Sequence, residues 1–363
     1  MMSFILEPYH APDFDALGLA KAADARLVFA PRDGVAPEGY HAMSIFPEYF
    51  RVEGRWLLAE ESRMDCVPVW TEGKIAVVEP RRLKAGDRVF VGRTEDGSEG
   101  IYVHAHGFDA AEEAAQTFAF RQGHSRESSF SKDYDELYDL LRHERGHGKV
   151  VWVMGPAFSF DYDARNAFSR LIAGGYVHAL LAGNALATHD LEGAYLGTAL
   201  GQDIYTQEHR FNGHYNHLDT INRVRLHGSI RQFIQAEGID NGIIYSCEKH
   251  GVPYVLGGSI RDDGPLPEVY GNVYAAQDAM RDQIRSTTTV ICMATALHSI
   301  ATGNMTPSFR VLPDGTVRKV YFYCVDISEF TVNKLTDRGS LTTRGIVTNA
   351  QDFIVNIAKG LGV

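Results

Sequence analysis

The chain has 363 residues, 45% apolar and 22% charged, which suits a soluble globular protein with room for two domains. Its formal net charge of −11 opposes the phosphate backbone of a nucleic acid, so that class of partner is not expected. No apolar stretch approaches the ~20 residues of a bilayer span, and the opening "MMSFILEPYHAPDF" lacks a basic segment ahead of an apolar one, so a cytoplasmic protein is expected.

Residues 1–110 read as short strands: "ARLVFAP", "YFRVEGRWLLAE", "MDCVPVW", "KIAVVEP", "DRVFVGR" and "GIYVHAHGF". Turn residues separate them at short intervals, with "VEGR" and "EDGSEG" as hairpin turns, which predicts an antiparallel β-rich domain. Residues 111–148, containing "AEEAAQTFAF" and "SKDYDELYDLLRHERG", read as a helical linker. From residue 149 to 363 strands alternate with helices, which predicts an α/β unit with a doubly wound parallel sheet. Its strands fall in "KVVWVMGPA", "HALLAGNAL", "GIIYSCEKHGVPYVLGGSI", "TTTVICMATALHSIATGN" and "RKVYFYCVDIS", with a terminal helix over 348–359. The four cysteines are scattered without a CxxC pair, and Cys247, Cys292 and Cys324 lie in or beside apolar runs. Buried reduced thiols are therefore expected, rather than disulfides or a zinc site.

Ligands of such sheets bind beyond the carboxyl ends of the strands. Small and polar residues follow each expected strand: "GPA" (155–157), "GNALATHD" (183–190), "GGSIRDD" (257–263), "HSIATGN" (298–304) and "DIS" (326–328). Gly155, Gly183, Asn184, Gly257 and Gly258 would let backbone amides approach a phosphate, although glycine also simply ends strands, and no GxGxxG follows a strand. Asp326, at a strand tip, suits the two ribose hydroxyls of NAD and would repel the extra phosphate of NADP; the competing role is a helix N-cap.

"HRFNGHYNHLDTIN" (209–222) sets His214 and His217 three residues apart, but no third ligand is evident and no metal is expected. Asn212, His214, Asn216 and His217 suit hydrogen bonds to cofactor or substrate, while His189–Asp190 and His298–Ser299, expected on strand-end loops, offer proton carriers. Each histidine is equally open to a structural role. Arg261 suits a bidentate grip on a carboxylate, and Asp262 or Asp263 an ammonium group or a base; an internal Arg–Asp pair stiffening the loop is the other reading.

Together these stretches resemble the archaeal-type ornithine cyclodeaminase family, which carries the LOR/SDH conserved region. The resemblance runs through "DGVAPEGY", "MDC", "GPA", "GYVHALLAGNALATHDLE", "GHYNHLDTIN", "GVPYVLGGSIRDDGPLPEV", "AQDAMR", "ATALHSIATGN", "CVDIS" and "NKLTDRGS…GIVT", in order along most of the chain. It implies a β-rich LOR/SDH domain joined to a Rossmann-like, deoxyhypusine-synthase-like NAD-binding domain, in a homodimer or homotetramer. It also implies an internal hydride cycle. NAD⁺ takes hydride from Cα of ornithine, the δ-amine attacks the resulting imine carbon, ammonia leaves, and the returned hydride yields proline.

Catalysis is then expected from Asp262, Asp263, His298 and His189, and substrate contacts from Arg261, His217 and, in the N-terminal domain, Arg51, Asp65 and Cys66. The cofactor would meet Gly155, Pro156, Ala157, Gly183, Asn184, Ala185, His214, Asn216, Gly258, Ser259, Asn304, Asp326 and Ile327. Two stretches depart from the family pattern. "SIFPEYF" (44–50) brings Ile45 and Phe46, and "FSFDYDA" after "GPA" brings Phe158, Phe160, Asp161 and Tyr162. They make the expected substrate wall more aromatic, so a related amino acid stands beside ornithine. A net NAD-dependent dehydrogenase of the opine or saccharopine kind and a non-catalytic NAD or amino-acid sensor complete the alternatives.

Overall fold

The computed structural model describes residues 4–108, 130–262, 264–328, 332 and 341–363. The seven strands of the N-terminal part are β1 (Arg26–Phe29), β2 (Glu48–Val52), β3 (Arg55–Leu58), β4 (Val67–Thr71), β5 (Lys74–Val78), β6 (Arg88–Val91) and β7 (Ile101–Val103). They form two antiparallel sheets, in the orders β1-β6-β4-β5 and β3-β2-β7. Glu53–Gly54 and Glu72–Gly73 join β2 to β3 and β4 to β5, with φ of 51° and 76°, then 50° and 78°. Left-handed φ at both turn positions gives the twist that antiparallel partners need. The expected hairpin at "EDGSEG" is smaller: β7 folds back only onto a one-residue bridge, Asp96 with Tyr102, and belongs to a different sheet from β6. Cys66 packs with Phe50, Phe90 and Ile101 in the core.

Helix α1 (Phe130–His147) leads into the second part; the helix expected over "AEEAAQTFAF" lies outside the described residues. There follow β8 (Val150–Met154), α2 (Tyr162–Ala173), β9 (Ala179–Gly183), α3 (Asn184–Leu196), the short β10 (Thr198–Ala199) and β11 (Gln202–Asp203), α4 (Asn216–His227), α5 (Ile230–Ala236) and α6 (Ile243–His250). The chain continues through β12 (Tyr254–Gly257), α7 (Val273–Ile284), β13 (Thr289–Met293), α8 (Ala296–Met305), the hairpin β14 (Phe309–Val311) and β15 (Val317–Lys319), β16 (Tyr321–Asp326), β17 (Thr343–Val347) and α9 (Ala350–Leu361).

Six strands make one wholly parallel sheet in the order β12-β9-β8-β13-β16-β17. Renumbered along the chain this is 3-2-1-4-5-6, the order of the Rossmann fold. The apolar strands explain the layering. Val150, Trp152 and Met154 of β8 point into a core shared with α2, α3, α6 and α9, while Val151 and Val153 point into the opposite core with α7 and α8. The N-terminal part docks on this second layer: Arg81 reaches Asp278 of α7 at 2.6 Å, and Ser308 donates its backbone N–H to Ser62 O at 3.0 Å.

Two stretches expected as strand-end loops are helices. Residues 184–190 form the first two turns of α3, and 298–304 lie within α8. Among the described residues, no helix is long and apolar enough to cross a membrane.

Candidate active site

The strand order reverses between β8 and β13, so the chain leaves the sheet toward opposite faces from neighbouring carboxyl ends. The approach there is close: a Cβ on Gly155 would stand 2.0 Å from the Ala294 carbonyl oxygen, and Gly155 N–H donates to Met293 O at 2.9 Å. Gly155 is thus a packing glycine whose N–H is spent within the sheet. Ala294 takes a left-handed φ of 52°, turning the chain abruptly into α8. The N-cap of α8, Thr295, makes no side-chain capping bond. Amides at that terminus therefore keep no side-chain partner and suit an anionic group.

Beside this point lies a cleft of about 390 Å³, walled by Pro156 and Phe160, by Asn184, Ala185, Thr188 and His189 of α3, by His217 and Ile221 of α4, and by Ser259, Arg261 and Asp262 after β12. Each wall has a local cause. Asn184 is buried and its Oδ1 accepts the Leu266 N–H at 3.0 Å, tying α3 to the β12 loop. Asp262 accepts the Ser259 N–H at 2.7 Å, and Ser259 Oγ accepts the Arg261 N–H at 3.1 Å, which closes the loop on itself. That leaves Arg261 exposed, and among the described residues it makes no ion pair. Asp263 lies outside the described residues.

Facing this loop, the rings of His189 and His217 stand 6.2 Å apart, with Phe160 5.1 Å from His189. His217 Nδ1 is buried without a hydrogen-bond partner among the described residues. His189 Nδ1 meets the buried Glu192 at 3.2 Å.

His298 lines a second, mostly apolar cavity of about 280 Å³ between α7 and α8. Its Cε1 would lie 3.1 Å from a Cβ on Gly183, and its Nε2 3.6 Å from one on Gly257, so the ring rests on two strand ends that have no side chains. Burial lowers its pKa from the ordinary histidine value. Gly258 also borders the second cavity.

The structure therefore gathers Pro156, Asn184, Ala185, His189, His217, Ser259, Arg261 and Asp262 around one cleft, while Gly258 and His298 line the second cavity and Gly183 packs under the His298 ring. Other expected cofactor residues do not line either cavity. Asn304 sits at the far end of α8, eight residues and about 12 Å from Ala296 at 1.5 Å per residue. His214 is exposed, its ring 4.2 Å from that of Tyr215, and Asn216 spends its amide on Thr198 Oγ1 at 2.8 Å. Ala157 gives its carbonyl to Gln351, while Ile327 is exposed.

The N-terminal residues do not reach either cavity. Arg51 pairs with Asp24 at 2.6 Å, Asp65 lies exposed in a left-handed turn, and Cys66 is a core thiol whose pKa burial raises. Asp190 turns away from its neighbour His189 and instead accepts Arg165 Nε at 2.6 Å and the N–H groups of Ile243 and Ile244. Asp326 does end β16, where its Oδ1 accepts the Ser328 N–H at 2.9 Å.

Thr188, Ile221 and Thr295 were not anticipated. Thr188 was legible in principle, since it follows Asn184 by one helical turn once 184–196 is read as helix.

Residues 136–357 match the family described as "Arginine dihydrolase ArgZ-like, C-terminal, Rossmann fold". A protein of Methanopyrus kandleri named ornithine cyclodeaminase is 38% identical over 341 residues, 93% of this chain and 78% of that protein. One of Archaeoglobus fulgidus with the same name is 38% identical over 91% of this chain and 77% of its own. Among solved structures, a conserved LOR/SDH protein of Methanococcus maripaludis superposes with a TM-score of 0.84 at 35% identity, over 93% of this chain and 98% of that one. AgrE, solved in a ternary complex with ornithine and NAD⁺, gives 0.57 at 33% identity over 94% of this chain and 46% of the larger protein. Fold, strand order and sequence agree, and the chain belongs to the ornithine cyclodeaminase family.

Proposed function

We propose that the protein is an NAD-dependent cyclodeaminase that converts ornithine to proline and ammonia. The observation that carries this reading is the convergence, at one sheet edge beside the strand-order reversal, of an exposed guanidinium, a carboxylate and two imidazoles. The first two match the carboxylate and ammonium of an amino acid, and the imidazoles can carry its protons.

The residues present fit a dinucleotide. Asp326 at a strand tip suits a ribose, the uncapped start of α8 suits a pyrophosphate, and the side-chain-free ends Gly183 and Gly257 let the His298 ring seat close against the sheet edge. When bound, NAD⁺ accepts a hydride and returns it, so no net oxidation occurs. Arg261 holds the substrate carboxylate, Asp262 its ammonium group, and His189, with His298 of the second cavity, moves protons. Phe160 and Ile221 keep water from the reacting carbon.

A related amino acid remains the second reading, because one of the two aromatic departures reaches the cleft. Phe160 lines it, whereas Phe158 is in the core, Asp161 caps α2, and Ile45 gives its carbonyl to Ser308. Self-association as a dimer or tetramer is part of the proposal and is read by light scattering.

The deciding assay incubates the protein with NAD⁺ and each of a panel of diamino acids, following ammonia together with absorbance at 340 nm. Ammonia from ornithine with no accumulating NADH is expected. A steady rise at 340 nm would make the protein a net dehydrogenase, and binding without turnover a sensor.

A further inference from the structure

Glu192 belongs to no surface that a ligand can touch, yet it is a fully buried acid directly behind His189 of the cleft wall. Its two oxygens receive four donors. Oε1 accepts Thr198 Oγ1 at 2.8 Å and the Gly201 N–H at 2.9 Å; Oε2 accepts the Leu200 N–H at 2.9 Å and meets His189 Nδ1 at 3.2 Å. Burial alone would raise its pKa, but hydrogen bonds from His189, Gly201, Thr198 and Leu200 outweigh it and hold the carboxyl below its ordinary value.

An ionised carboxylate only accepts. The ring nitrogen facing it must therefore donate, so His189 carries its proton on Nδ1, and a neutral ring has its lone pair on Nε2. The donors are themselves fixed. A Cβ on Gly201 would stand 2.3 Å from the Gly213 backbone, so the two segments are pressed together, and Thr198 Oγ1 accepts the Asn216 amide at 2.8 Å. One carboxylate thereby sets the His189 tautomer, the turn carrying Leu200, and, through Thr198, the start of the helix that bears His217.

We infer that Glu192 is the positioning residue of the site, holding His189 with Nε2 as the acceptor that takes the substrate proton. This rests on the proposed cyclodeaminase reaction. The groups that face His189 are Glu192 of its own helix and His217 of α4, with Asp262 and Arg261 across the cleft.

The test is Glu192→Gln, which keeps the shape but turns an amide N–H₂ toward the ring. The expected result is a fall in kcat of about a hundredfold, at the low end of what general base catalysis supplies, with KM for ornithine and affinity for NAD⁺ changed less than threefold. In a His189→Ala background the same substitution should cost less than twofold further. If it costs the same factor in both backgrounds, Glu192 acts only by anchoring the 198–201 turn, and the inference fails.

A second measurement needs neither turnover nor a variant that folds well. Nitrogen-15 histidine spectra of the wild-type protein should show His189 protonated on Nδ1, and protonation on Nε2 would overturn the assignment. If the wild type releases no ammonia from ornithine, the proposed reaction is wrong, while the spectrum still decides the tautomer.

Discussion

Gly183→Ala probes His298 without removing any hydrogen bond. Gly183 precedes α3 with a φ of −101°, which alanine adopts freely, so the backbone tolerates the change. The new methyl would lie 3.1 Å from His298 Cε1. Carbon atoms rest about 3.5–4.0 Å apart, so the ring must retreat by about 0.5 Å. The obstacle is a side chain at the border of an open cavity, and it can move. A displacement of about 1 Å in a catalytic group costs about a hundredfold, which puts about a tenfold loss in kcat/KM on this variant.

Gly155→Ala supplies the contrast. Its methyl would meet the Ala294 carbonyl oxygen at 2.0 Å, and that backbone is held by the Ala294 N–H on Val325 O at 3.1 Å. Here neighbouring strands must part, so the loss appears as lower unfolding temperature or insoluble protein. Ammonia release and thermal unfolding on both purified variants separate the two effects. A folded Gly183→Ala enzyme with unchanged kcat/KM would remove His298 from the reaction, and a Gly155→Ala protein as stable as the wild type would refute the packing argument.

Asp190→Ala should destabilise the protein by about 3–5 kcal/mol in urea unfolding, because it strands a buried Arg165 guanidinium and uncaps α6. His143, His178 and His298 all have pKa values lowered by burial, so the folded chain resists protons that the unfolded chain accepts near pH 6.5. Stability should therefore be full above that pH and fall as pH drops below it, by at most about 1.4 kcal/mol per unit for each histidine. Urea midpoints between pH 7.5 and 5.5 read this, and His298→Asn should flatten the slope. Cys66→Ser and Arg51→Gln should each keep ammonia release within about twofold, since core packing and an Asp24 ion pair occupy them; a tenfold loss in either would return the N-terminal part to the active site.

What was legible in the sequence followed from periodicity and from strand ends. Every strand expected in residues 26–103 forms, because alternating apolar residues and Gly-containing turns fix both face and register. The parallel strands are legible for the opposite reason: "VVWVM" is buried on both faces and has no alternation to read. The misreading of 184–190 as a loop comes from its composition. Asn184, Thr188, His189, Asp190 and Glu192 are polar yet buried, so α3 shows no apolar stripe. Partners far along the chain explain this, Arg165 and Ile243 for Asp190 and the 198–201 turn for Glu192, and no local pattern encodes them.

The same fact separates structure from chemistry within the helix. A buried polar atom marks a site only when the fold has left it unspent. Both oxygens of Asp190 are consumed by the guanidinium and by two backbone amides, so its adjacency to His189 in sequence carries no chemistry. His217 Nδ1 is the converse case, buried at the cleft with no partner among the described residues, and desolvating it without a hydrogen bond costs about 1–3 kcal/mol. A bound substrate or cofactor that accepts or supplies that bond recovers the cost. Ligand binding should therefore raise the stability of the wild type more than that of His217→Phe.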